Sequence, residues 1–64
     1  MIHRMKLYYI ACDYGASGIE YLEGPFGARW EATNARDNTA VHFDSPERVI
    51  VVEEIREVMK VELI

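Results

Sequence analysis

Asp44-Ser45-Pro46-Glu47-Arg48-Val49-Ile50-Val51-Val52-Glu53-Glu54-Ile55-Arg56-Glu57-Val58-Met59 reads two ways, and the choice between them sets the fold. As a helix, Ser45 is the N-cap and Pro46 takes the first helical position, where its missing donor costs nothing. Glu47 then falls in the first turn, where the helix dipole favours negative charge. Val51, Val52, Ile55, Val58 and Met59 share one face, with Glu53, Glu54, Arg56, Glu57 and Lys60 opposite. As a strand, it is marked by the β-branched run Val49 to Val52, whose side chains lose rotamer freedom in a helix. The cap and the long periodicity together predict a helix, with a strand over 49–52 as the competing reading.

Outward from this segment the chain reads as strands and turns. Met59 to Ile64 alternates and predicts a closing strand. Ala40 to Phe43 reads as a short strand or an extended lead-in, preceded by the polar, turn-prone Asn34 to Thr39. Ala28 to Thr33 alternates with Ala28, Trp30 and Ala32 inward, which predicts a strand. Gly24-Pro25-Phe26-Gly27 reads as a turn. Met5 to Cys12 and Ile19 to Leu22 read as an antiparallel hairpin closed by Asp13 to Gly18. The expected fold is therefore α+β: an antiparallel sheet of about 3–5 short strands with one helix, in the C-terminal half, packed on one face. Residues 1–64 are expected to form a single domain, with Leu7, Tyr9, Ile19, Trp30, Val41, Phe43 and the apolar face of the C-terminal segment as its core.

At 64 residues the chain has room for one domain, and its 50% hydrophobic and 28% charged composition excludes a disordered tail or a collagen-like repeat. No apolar run approaches membrane-spanning length and none resembles a signal peptide, so a cytoplasmic protein is expected. The lone Cys12 excludes an internal disulfide and any Cys-rich zinc site. Eleven acidic against 7 basic residues give a net charge of −4, and the cations form no run, which disfavours direct nucleic-acid binding. Domains this small are marginally stable, which leaves monomer and homodimer both open.

No catalytic constellation stands out. His3, His42 and Cys12 lack structural zinc spacing, and no nucleophile elbow surrounds Cys12 or Ser17. Cys12 reads as a small, partly buried hydrophobe. Gly15-x-x-Gly18 and Gly24-x-x-Gly27 carry no Lys or Arg and open onto no helix, so they read as turns rather than phosphate cradles. No cofactor, metal or enzymatic activity is expected. Two features could serve a protein partner. On a helical wheel Glu47, Glu53, Glu54 and Glu57 occupy one arc, which is either a solvated face or a set of carboxylates imitating nucleic-acid phosphates. Tyr14, Tyr21 and Phe26 lie at or beside turns, where exposed aromatics anchor interfaces.

In length, acidity, absence of enzyme motifs and the half running Trp30…Ala40-Val41-His42-Phe43-Asp44-Ser45-Pro46-Glu47, the chain resembles the small proteins of phages and mobile elements, anti-CRISPR proteins among them. That resemblance implies a non-enzymatic inhibitor that binds Cascade or another Cas effector, in the host cytoplasm if phage-encoded, and blocks target DNA. It assigns no residue roles. The alternative is a small homodimeric regulatory or structural module that binds a host protein through Tyr14, Tyr21 and Phe26.

Overall fold

Three strands and one helix make up residues 2–59, which a computed structural model describes. Strand β1 (Ile2–Asp13) leads through a 3-10 turn at Gly15–Ser17 into β2 (Ile19–Phe26). Helix α1 (Arg29–Ala40) follows, then a second 3-10 turn at Pro46–Arg48, then β3 (Val49–Met59). The sheet is antiparallel in the order β2-β1-β3, and α1 lies on one face of it, so the α+β class with a three-stranded sheet and one helix is as expected.

The position of the helix is not as expected. The deciding segment 49–59 is a strand, and Ser45 makes no side-chain cap. Only one turn forms there, with the Arg48 amide donating to the Ser45 carbonyl at 3.0 Å. Beyond it, β3 pairs with β1 without interruption from Val49↔Cys12 to Met59↔Ile2. The β-branched run wins because this ladder supplies a complete set of backbone partners to side chains that already favour extended backbone. The helix-like spacing arose because Val49 to Val52 are apolar on both faces of the strand, which erases the alternation of two.

The helix lies instead over 29–40, where a strand and a polar turn were expected. Its inward stripe is made of small residues: Ala32 and Ala40 are buried and Ala35 packs against the core beside them. Alanine is the best helix former, yet it carries little hydrophobic signal in a sequence pattern. Trp30 points to solvent at 67% exposure, as does Val41 at 75%, just past the last turn. The expected strand Ala40–Phe43 is the end of the helix and a turn, closed by the Phe43 amide donating to the Ala40 carbonyl at 3.1 Å. The closing strand expected over 59–64 lies outside the described residues, save Met59, which ends β3.

The core is correspondingly different. It centres on Ile10, Ala40 and Val49, with Leu22, Phe26, Ala35 and Phe43 packed around them. Of the expected core, Phe43 joins this cluster, Leu7 and Tyr9 are half-buried on the other face, and Ile19, Trp30 and Val41 are exposed. Cys12 is buried beside Val49 in the ladder, as its reading as a small hydrophobe implies.

The segment Gly24–Phe26 is part of β2 rather than a turn. Two register shifts against β1 occur here, with Ala11↔Tyr21, Ile10↔Glu23 and Tyr8↔Phe26 paired in turn. Together they bring both Leu22 and Phe26 to the helix side.

Arg36 fastens the helix to the approach to β3. Its Nε donates to the Val49 carbonyl at 2.8 Å and its Nη2 to the Pro46 carbonyl at 2.8 Å, while Nη1 meets Asp37 Oδ1 at 3.1 Å. The fork reaches the two carbonyls from two nitrogens held in fixed spacing, which the single nitrogen of an ammonium does not reproduce, so Arg36→Lys is expected to cost about 1–2 kcal/mol. Urea unfolding checks this, and the denaturant slope should stay unchanged.

Candidate functional site

Alternation along the strands assigns every side chain to one of two faces. Arg4, Lys6, Tyr8, Ile10 and Cys12 share the helix side with Val49, Val51, Glu53, Ile55 and Glu57. Met5, Leu7, Tyr9 and Ala11 share the opposite side with Ile50, Val52, Glu54 and Arg56.

The arc of Glu47, Glu53, Glu54 and Glu57 needed a helix and does not form. Glu53 and Glu57 lie on the helix side of β3, Glu54 on the opposite side, and Glu47 in the 3-10 turn before the strand. Two of the four are also matched by cations: Arg4 Nε lies 3.4 Å from Glu57 Oε1 and Lys6 Nζ 3.9 Å from Glu53 Oε1. The Tyr8 hydroxyl donates to the same Glu53 oxygen at 3.3 Å. These exposed pairs add little stability, but they neutralise the local field.

The negative charge sits elsewhere. Between Asp13 and Arg48 there are seven carboxylates (Asp13, Glu20, Glu23, Glu31, Asp37, Asp44, Glu47) against three arginines (Arg29, Arg36, Arg48), which accounts for the whole net charge of −4. One of those arginines is turned inward onto carbonyls. The part of the molecule that carries α1 is therefore acidic, while the part made by the far halves of β1 and β3 is neutral. A sequence tally by segment could have found this partition without any helical wheel.

The three aromatics expected to act together are separated. Phe26 packs against the core on the helix side. Tyr21, 48% exposed, lies on the opposite face with its ring centroid 4.9 Å from that of Tyr9. Tyr14 stands at the β1–β2 turn, where its hydroxyl donates to Glu20 Oε2 at 3.2 Å. Its phenol is pushed up to about 12, first by the Cys12 side chain, then by desolvation and then by Glu20. Tyr21 is raised as well, chiefly by desolvation and next by the Glu54 carboxylate.

The face opposite the helix is the feature that sequence reading missed. No described element covers it, and a solvated sheet face would be polar. Here Met5, Leu7, Tyr9, Tyr21, Ile50 and Val52 line it, and Ala11 is fully buried among them. Its charged members on β3 are Glu54 and Arg56, and the Arg56 guanidinium donates to the Tyr9 hydroxyl at 3.2 Å. The missed signal was the pairing register, which turns the odd residues of β1 and the even residues of β3 onto one surface.

His3 and Cys12 sit near opposite ends of β1 and His42 lies beyond α1. Among the described residues no three His, Cys, Asp or Glu side chains cluster as metal ligands would, and no helix is long and apolar enough to cross a membrane. No protein-family model matches the chain, and no curated protein or solved structure matches it significantly.

Proposed function

We propose that the protein is a non-enzymatic inhibitor that binds a nucleic-acid-binding complex and blocks its access to DNA, with Cascade or another Cas effector in the host cytoplasm as the expected target. The observation that carries this reading is the confinement of the net charge to residues 13–48. A compact acidic body is drawn toward the basic channel that such a complex offers to phosphates. Among the described residues Glu31, Asp44 and Glu47 are exposed and make no ion pair, so they keep their full field.

Titrating the purified protein against guide-loaded Cascade while following target-DNA binding tests the reading. DNA affinity is expected to collapse near one equivalent. The combined variant Glu31→Gln, Asp44→Asn, Glu47→Gln is expected to inhibit about tenfold more weakly and with a flatter salt dependence. Glu53→Gln with Glu57→Gln should inhibit as well as the parent, because those carboxylates are already matched. Unchanged DNA affinity at saturating protein removes Cascade as the target, and equal loss from both variant sets removes the acidic body as the binding surface.

A further inference from the structure

We propose that the open face of the sheet, along the paired far halves of β1 and β3, is a self-association surface occupied by a second copy of this chain. The inference does not rest on the inhibitory function, since it uses the face turned away from the helix and a neutral part of the molecule.

Strand β2 leaves the sheet after pairing Phe26 with Tyr8, so Ile2 to Leu7 pair only with Glu54 to Met59. A two-stranded ribbon is at best marginal in water when nothing packs on it. This one also leaves apolar side chains in solvent, Met5 at 48% exposure among them. It makes the chain unusually extended: the Cα radius of gyration is 14.7 Å, against about 11 Å for a compact chain of this length.

The surface area says how much is left uncovered. The chain exposes 5057 Å², whereas size scaling gives roughly 4,200 Å² for a folded 7.4 kDa monomer. Both faces of the ribbon contribute to that excess, Ile2 and Ile55 on the helix side and Met5 on the open face. Any partner could fill that area, but the charges on the face select a second copy. Glu54 and Arg56 stand two residues apart on β3, opposite Leu7 and Met5. A two-fold axis crossing the strands at the level of Lys6 and Ile55 sets each Glu54 against the other copy's Arg56, and each Leu7 against the other copy's Met5. The face is thus its own complement, as an isologous interface requires. The rings of Tyr9 and the side chains of Val52 extend the apolar strip toward the body.

Sedimentation equilibrium of the full chain from about 1 to 500 µM tests this, with a dimer and a dissociation constant on the order of micromolar expected. Glu54→Arg and Arg56→Glu should each weaken the dimer at least about tenfold, and the double reversal should restore it. Met5→Lys should abolish it while the far-ultraviolet spectrum stays at the parent's, and its unfolding midpoint should match that of the parent diluted to the monomer, because Met5 is already half in solvent. A monomer throughout the range overturns the proposal, as does a dimer indifferent to Met5→Lys, which would mean pairing through the edge of β3. A double reversal that fails to recover the dimer overturns the charge register.

Discussion

Gly24→Ala is expected to destabilise the protein by about 3 kcal/mol, a large share of what a domain of this size has in total. Two independent penalties act at this position. The backbone there has φ +127°, a conformation L side chains rarely adopt. A Cβ would also stand 2.8 Å from Tyr9 Cδ1, 3.0 Å from the Tyr8 carbonyl oxygen and 3.2 Å from Tyr9 Cα. The tyrosine ring could swing away, but the backbone of β1 cannot retreat without opening the ladder to β3. Gly27, where a Cβ meets nothing within 4 Å, is the control. Gly27→Ala should unfold within about 1 kcal/mol of the parent. Thermal midpoints compare the two: a drop of roughly 12–24 °C is expected for Gly24→Ala, and a drop no larger than that of Gly27→Ala would contradict the close packing of β2 on β1.

Ile10→Ala is the second large effect, expected to cost about 3–4 kcal/mol. Ile10 and Val49 are the largest side chains that are fully buried, and both stand where α1 crosses the sheet. The rest of the buried set is small: Ala11, Cys12, Ala32 and Ala40. Removing the Ile10 branches leaves a cavity among Ala35, Ala40, Val49, Leu22, Phe26 and Phe43, which these neighbours close only in part. Trp30→Ala makes the contrast, because an exposed indole leaves no cavity, and its cost should stay below about 1 kcal/mol. Urea titrations followed by circular dichroism read both. Equal costs would mean that Trp30 packs where Ile10 does.

The hairpin was legible because Tyr8, Tyr9 and Ile10 favour strands and Asp13 to Gly18 can only turn. There Gly15 N donates to Asp13 Oδ1 at 2.8 Å, a local bond that any such sequence can make. The middle of the chain was not legible. The alternation over 28–33 turns Trp30 inward on a strand, and the alanines that face the core give no hydrophobic peak to mark a helix. For 49–59 the Ser45-Pro46 signal yields one 3-10 turn without a side-chain cap, because a long-range partner, β1, decides the rest. The carboxylates of the candidate site inherited that error. A wheel gathers Glu53, Glu54 and Glu57, whereas a pleat sends Glu54 to the far side. A charge count by segment, −4 over residues 13–48 and zero over the rest, needs no secondary structure, but only the fold shows that these are body and extension.

The sheet order places the earliest strand in the middle. Until Val49 to Met59 have been synthesised, one whole side of β1 lacks its neighbour, and Ile2 must finally meet a residue 57 positions later. Ladders between such distant segments close slowly, over milliseconds to seconds, because the loop entropy is lost before the contacts form. A nascent chain that stopped at Arg48 would hold a hairpin and a helix with no ladder to join them, and the Arg36 fork would have lost the carbonyl of Val49. Translation must therefore run nearly to Met59 before the molecule becomes resistant to proteases.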